Sequence, residues 1–214
     1  LRKSVNDTFT AVDKAGIYYK AFLFNEDSMA IEPTDNPEET LNDSLSSFKG
    51  PFFPITMFIS ILKGKKNETE IRMLTEMGVE KIVLMNTEFS EGSWNNHMAE
   101  RIDAIAREAV QQSGSKAPEI CGPVDFSQAV AEAEGTVLIL HQSRRTRTES
   151  ITDIPIKDKV SCLIGPEGGF SDRECELAED HGAIPILLKT NILRAETAAI
   201  YAAASIQTIT HKSL

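Results

Sequence analysis

A glycine-rich hexapeptide, Gly165-Pro166-Glu167-Gly168-Gly169-Phe170, follows the short apolar run Val160 to Ile164 and leads straight into a helix signature. Ser171 and Glu174 have the spacing of a capping box, and Leu177 and Ala178 continue the helix to Gly182. A turn of this kind, at the carboxyl end of a strand, is where open α/β sheets bind ligands. Phosphate is a poor fit. The turn has neither GxGxxG nor GK[ST], and Glu167 would repel an anion at close range. A neutral or cationic ligand suits it better, with glycines admitting close backbone approach and Pro166 stiffening the turn. Taken alone, a purely structural turn is the plainer reading.

A second loop accompanies it. The strand Ile184 to Leu188 runs into Lys189-Thr190-Asn191-Ile192-Leu193-Arg194 and then into a helix from Ala195 through Ile209. Arg194 stands where loop becomes helix, an unfavourable end for a cation because the helix dipole is positive there. A charge so placed either has another duty or is paired with Glu196. Ala198, Ala199, Ala202 and Ala203 permit close approach by another backbone. That suits a tightly packed ligand or a subunit interface, and helix propensity alone also accounts for it.

The elements that must position these loops alternate between strand and helix, the pattern of a largely parallel sheet covered by helices. Ile55 to Leu62 is a strand, and Asn67 caps a helix carrying Ile71 and Leu74 that stops near Gly78. Lys81 to Met85 is the next strand. Met98, Ile102, Ile105 and Ala109 fall at helical spacing, and Gly114 ends that run before Pro118. Ser127 opens a short helix to Glu134, Gly135 stops it, and Val137 to Leu140 is again a strand. Residues 143 to 158 are loop. Upstream lies a small β unit: Phe9 to Val12, Ile17 to Phe24 and Met29 to Ile31, with turns at Asp13 to Gly16 and Asn25 to Ser28. Residues 32 to 51 are loop-like, and Lys49-Gly50-Pro51 with Pro54 marks a boundary between domains 1–50 and 51–214.

Composition bounds the answer. The 214 residues carry 22 Lys plus Arg against 32 Asp plus Glu, a net charge of -10, with 41% hydrophobic and 25% charged residues. That excludes disordered, collagenous and disulfide-dense classes. No run approaches the roughly 18 apolar residues of a membrane span and no basic-then-apolar leader opens the chain, so the expected location is cytoplasmic. Cys121, Cys162 and Cys175 have no metal-site spacing and read as reduced, buried thiols, with no metal expected. The first residue is Leu, so something upstream is expected to be missing. Net acidity opposes nucleic-acid binding through bulk charge but leaves room for local basic patches. Two short clusters qualify: Lys63, Lys65 and Lys66, and Arg144, Arg145 and Arg147. Solvated loop charge explains either equally well.

GPEGGFSDRE (165–174) followed by LLKTNILRAETAA (187–199) resembles the C-terminal signature of the RsmE family. These are bacterial 16S ribosomal RNA methyltransferases that modify N3 of a uridine, within the SPOUT class of S-adenosylmethionine enzymes. Upstream, LKGKKNE, LTEMGVEKIV and ERIDAIAREAVQQSG followed by PEI match the family's order and spacing. The resemblance thus covers nearly the whole chain. It implies a SPOUT-type trefoil-knotted, parallel-sheet α/β methyltransferase domain preceded by a small PUA-like β-barrel for RNA binding, whose opening strand is missing here. It also implies a homodimer, a 16S rRNA substrate within the small ribosomal subunit, and S-adenosylmethionine bent into the knot. Threading rules make knots rare, so alternation alone leads to an ordinary doubly wound sheet.

By the same resemblance, the cofactor is held by Leu140, by Ile164, Gly165, Pro166, Glu167, Gly168 and Gly169, by Leu188, Lys189, Asn191, Ile192 and Leu193, and by Ala198. Arg194 orients the uracil or stabilises its anion, and Glu196 either holds Arg194 or accepts a proton. The chemistry needs such a cation, because N3 of uracil becomes nucleophilic only on losing its proton. Lys63, Arg101 and Gln112 match RNA-contacting positions. The chain departs from the family at Lys189, where glycine is usual, at Asn191, where arginine is common, at Met73 in place of lysine and at Ser115 in place of arginine. Three of these four changes remove a cation, which weakens the case for RNA but does not touch the fold.

Overall fold

Short runs rich in apolar residues build two sheets. The computed structural model describes residues 8–12, 17–25, 28–33, 53–141, 149–156, 158–188 and 190–211. The chain divides into two compact units, Leu1–Gly50 and Pro51–Leu214. In the first, β1 (Thr8–Val12), β2 (Tyr18–Asn25) and β3 (Ser28–Pro33) form an antiparallel sheet in that order, with Ala21 buried on β2. The turns at 13–16 and 26–27, most of the 32–51 loop and the arginine cluster at 144–147 lie outside the described residues.

The second unit is a seven-stranded sheet in which every pairing is parallel. Its strands are β4 (Ile55–Ser60), β5 (Lys81–Asn86), β6 (Glu119–Asp125), β7 (Thr136–Leu140), β8 (Glu149–Ser150), β9 (Val160–Ile164) and β10 (Ile184–Leu187), in spatial order β6-β5-β4-β9-β7-β10-β8. Five helices cover it: α1 (Lys66–Glu76), α2 (Asn96–Ser113), α3 (Phe126–Glu132), α4 (Asp172–Asp180) and α5 (Ala195–His211).

Strand periodicity divides the core between two faces. On one, Ile55, Met57, Ile59, Ile82, Leu84, Cys162 and Ile164 meet Ile71 and Leu74 of α1, Ile102 of α2, and Ala199, Ala202, Ala203 and Ile206 of α5. On the other, Phe58, Val83, Met85, Ile139 and Leu163 meet Phe126, Ala129 and Val130 of α3 and Cys175 and Ala178 of α4. Three of the four small residues of α5 are therefore spent on close packing within this domain, and Ala198 stays half-buried. Burial pushes the Cys162 and Cys175 thiols up to about 12, so both stay protonated. Among the described residues, no helix is long and apolar enough to cross a membrane.

Several local expectations are corrected. Asn67 is not a cap: it lies inside the first turn of α1, whose flanking residue Lys65 makes no side-chain cap. Its amide is engaged elsewhere, as described below. The short helix opens at Phe126 after Asp125, one residue before Ser127. Strand β6 escapes the sequence because Gly122 and Pro123 interrupt it, and proline is tolerated there at the sheet edge. Within the expected loop 143–158, Glu149–Ser150 pairs with β10, and Ile151–Asp153 forms a 3-10 turn that buries Ile151. The capping box at Ser171 and Glu174 and the left-handed Gly114 that ends α2 form as expected.

Candidate active site

The two glycine- and arginine-bearing loops leave the sheet at the same edge. β4, β9, β7 and β10 are successive neighbours and all parallel, so their carboxyl ends line up. Residues 61–65 follow β4, the turn 165–171 follows β9, and 188–194 follows β10.

The β9 turn is closed by a hydrogen bond from the Gly169 amide to the Pro166 carbonyl at 2.9 Å, with Gly169 at φ 74°. Pro166 is buried, Gly165 and Gly169 are half-buried, and Glu167 and Gly168 are exposed. Behind the turn, Ser171 and Glu174 cap α4. Glu174 also accepts a 2.8 Å bond from the Glu88 amide, pinning the loop after β5. Phe170 packs against Phe126, ring centroids 5.2 Å apart.

The turn is anchored to β4 and α1. The Ser60 hydroxyl donates to the Ile164 carbonyl at 2.9 Å, and the Ser60 carbonyl accepts from the Asn67 amide nitrogen at 2.9 Å. Asn67 also accepts from the Leu62 amide at 2.8 Å and donates to Oε2 of Glu70 at 2.7 Å. Lys66 pairs with Glu167, an ion pair that lowers the Glu167 carboxyl and raises the Lys66 amine. Both side chains are about one-third exposed, so solvent screens the pair. Glu70 is 1% exposed. Burial pushes its carboxyl up to about 8, the Asn67 bond opposes this, and the nearby charges of Glu196 and Glu167 add to it.

In the second loop, the Thr190 amide bonds to the Leu188 carbonyl, and the Arg194 carbonyl accepts the 2.8 Å bond from Ala198 that begins α5. The Arg194 side chain is exposed. Oε2 of Glu196 is fully buried and has no hydrogen-bond partner among the described residues. Leu188 and Leu193 are half-buried, Asn191 is exposed and Ile192 wholly so, while Lys189 lies outside the described residues. Leu140, half-buried, ends the strand between the two loops.

Of the three expected RNA contacts, Lys63 stands in the segment 61–65 after β4, at the same sheet edge, and Arg101 and Gln112 lie on α2. Lys63 is exposed and 3.6 Å from Glu91. Arg101 forms a two-pronged pair with Glu68, at 2.6 and 2.9 Å, and Gln112 is exposed near the end of the same helix. Met73 is half-buried and Ser115 is 8% exposed, bonded to Ser113. Ser60, Asn67 and Glu70 were not anticipated here. A signal existed, because positions 67, 70, 71 and 74 form one helical stripe and two of the four are polar.

A parallel sheet with helices on both faces and two loops side by side at its carboxyl edge defines an α/β domain of the kind that binds small organic molecules at that edge. Known proteins narrow the class. A family model described as "RNA methyltransferase domain" matches residues 49–207, and the chain belongs to that family. It is 34% identical over 167 residues to a protein of Borreliella burgdorferi named "Ribosomal RNA small subunit methyltransferase E 2", a match covering 71% of this chain and 65% of that one. The chain thus spans just under two thirds of that relative's length. Among solved structures, a Legionella pneumophila protein in complex with bound SAM superposes with a TM-score of 0.79 at 28% identity, over 97% of this chain and 85% of that one. A probable rRNA-methyltransferase from Porphyromonas gingivalis superposes with a TM-score of 0.80 at 27% identity, over 100% and 89%.

Proposed function

We propose that this chain transfers a methyl group from S-adenosylmethionine to N3 of one uridine in 16S ribosomal RNA. The observation that carries the reading is the juxtaposition, in a chain of the RNA methyltransferase family, of the Gly165 to Gly169 turn with the Leu188 to Arg194 loop at one sheet edge. The site suits the cofactor. Lys66 offsets the charge of Glu167, Gly168 presents open backbone, and the exposed Ile192 and half-exposed Leu187 supply apolar surface for an adenosyl group. When bound, the cofactor supplies an electrophilic methyl on a sulfonium, already a good leaving group.

The remaining work falls to side chains. Arg194, exposed at the loop's end, orients the uracil and stabilises the negative charge that develops when N3 loses its proton. Glu196, two residues on, holds the guanidinium or takes that proton. Positioning the nucleophile in line with the methyl is the rest of the task.

The same reading makes Leu1–Gly50 a PUA-like RNA-binding unit, gives the Pro51–Leu214 domain a trefoil knot, and makes the protein a cytoplasmic homodimer acting on the small ribosomal subunit. Lys63, Arg101 and Gln112 would then face RNA.

The test is methyl transfer from labelled S-adenosylmethionine to small subunits lacking the N3-methyluridine mark, with the modified nucleotide mapped. Label at one uridine supports the reading. Cofactor binding without label moves the search to another RNA, and failure to bind the cofactor removes the enzymatic reading altogether.

A further inference from the structure

Phe89, an aromatic residue 45% exposed, is held against the glycine turn by the loop that follows β5. A lone exposed apolar residue is ordinary, but this one is fixed from both sides. Residues 87–90 close on themselves: the Ser90 amide donates to the Thr87 carbonyl at 3.0 Å, and the Thr87 amide donates to the Ser90 hydroxyl at 3.1 Å. Between them, the Glu88 amide donates to Oε1 of Glu174 at 2.8 Å, while Oε2 of the same buried carboxylate accepts the Ser171 amide at 2.9 Å. Glu174 thus ties the β5 loop to the residue that caps α4, directly after the glycine turn. A Cβ at Gly168 would stand 3.1 Å from Cβ of Phe89 and 3.6 Å from its Cγ, so Phe89 rests on bare backbone of the turn.

The same loop reaches the segment after β4. A Cβ at Gly92 would lie 2.5 Å from the Leu62 carbonyl oxygen, and Glu91 stands 3.6 Å from Lys63. Lys63 and Lys65 are exposed on that segment, while the exposed Glu88 and Glu91 offset their charge, so bulk attraction of an anion is not what this surface offers. It offers an exposed aromatic with lysines on the adjoining segment, the combination that holds single-stranded nucleic acid with base on ring and phosphate on cation. In the sheet, β5 and β4 lie to one side of β9, and β7 and β10 to the other. Phe89 therefore comes from the side opposite the 188–194 loop, which points to substrate and not to cofactor. We propose that Phe89 is a stacking platform for an RNA base flanking the methylated nucleotide, with Lys63 and Lys65 taking the adjoining phosphates. The inference deepens the methyltransferase reading and rests on it for its consequence.

Steady-state methyl transfer separates stacking from mere packing. Phe89→Ala raises KM for the RNA substrate about tenfold, with kcat within about threefold and the affinity for S-adenosylmethionine unchanged. Phe89→Leu, which keeps apolar bulk but has no π face, shares that loss, and Phe89→Tyr restores the wild-type KM. A Leu variant with wild-type KM assigns Phe89 to packing and overturns the proposal. So does a Phe89→Ala variant that loses affinity for the cofactor while its KM for RNA stays put.

The second readout needs no activity. In Phe89→Trp, titration with oligouridylate quenches indole fluorescence beyond the change in wild type, whose one tryptophan is Trp94, and titration with S-adenosylmethionine does not. Lys63→Ala in that background weakens the oligouridylate affinity and leaves the quenching at saturation intact. No quenching beyond wild type, or quenching by the cofactor alone, defeats the inference even if methyl transfer is found. If no RNA is methylated, the functional reading fails and this titration still decides whether Phe89 stacks on a base.

Discussion

The Ser60 hydroxyl, at the end of β4, donates a 2.9 Å hydrogen bond to the carbonyl oxygen of Ile164, the last residue of β9. Both residues are at most 2% exposed, and the chain enters the glycine turn immediately beyond Ile164. A parallel ladder already joins the two strands, so the extra bond acts on the point where the ladder stops. Ser60→Ala leaves the Ile164 carbonyl without that donor and costs about 1–3 kcal/mol. In urea denaturation the midpoint drops with little change in slope, and calorimetric titration shows weaker binding of S-adenosylmethionine. An unchanged midpoint would show that another donor takes over.

The Arg194 side chain is exposed and its backbone carbonyl accepts the bond from Ala198 that begins α5, so removing the guanidinium leaves that bond in place. Arg194→Ala is expected to reduce kcat by about 10²–10³-fold, the usual consequence of removing a group that stabilises a developing anion. Cofactor affinity and melting temperature stay near wild type. Unchanged turnover removes Arg194 from the mechanism.

Much of this architecture is legible in the residues. The strand from Val160 to Ile164 and the capping box after it are written locally, through apolar run, glycine turn and S-x-x-E spacing, and they form as read. What escapes depends on contacts between distant parts of the chain. Asn67 looks like a cap because its type favours caps, yet its amide is claimed by Ser60 at the end of β4, by Leu62 just beyond it and by Glu70. Glu70 looks like surface charge until α1 packs against the sheet. Strand β6 is obscured by Pro123, which only an edge position excuses. The order of strands, with β9 inserted between β4 and β7, has no local signature at all.

Gly169 closes the β9 turn at φ 74°, with open space where a Cβ would stand. Strain, not collision, is therefore the cost of substitution. Gly169→Ala should destabilise by about 1 kcal/mol, and Gly169→Asn by less, because asparagine tolerates the left-handed region better. Thermal unfolding of the three proteins tests the order Gly, Asn, Ala. Equal loss for both variants would point to a steric origin instead.

Glu70 makes stability depend on pH in a definite direction. Its folded-state pKa, about 8, lies above the 4.5 of the unfolded chain, so between those values the native state binds the extra proton. Stability from this group is then complete below about pH 4.5 and declines as pH rises toward 8, after which it is flat. The decline across the window is on the order of 1–3 kcal/mol once relaxation of the buried site is allowed for. Glu70→Gln abolishes this dependence, because an amide cannot ionise. Its unfolding free energy, measured by urea denaturation at several pH values, should vary less than that of wild type and exceed it at pH 8 and above. Parallel profiles for the two proteins would mean that Glu70 is ionised in the folded state well below neutrality, as when a counter-ion or water enters the site.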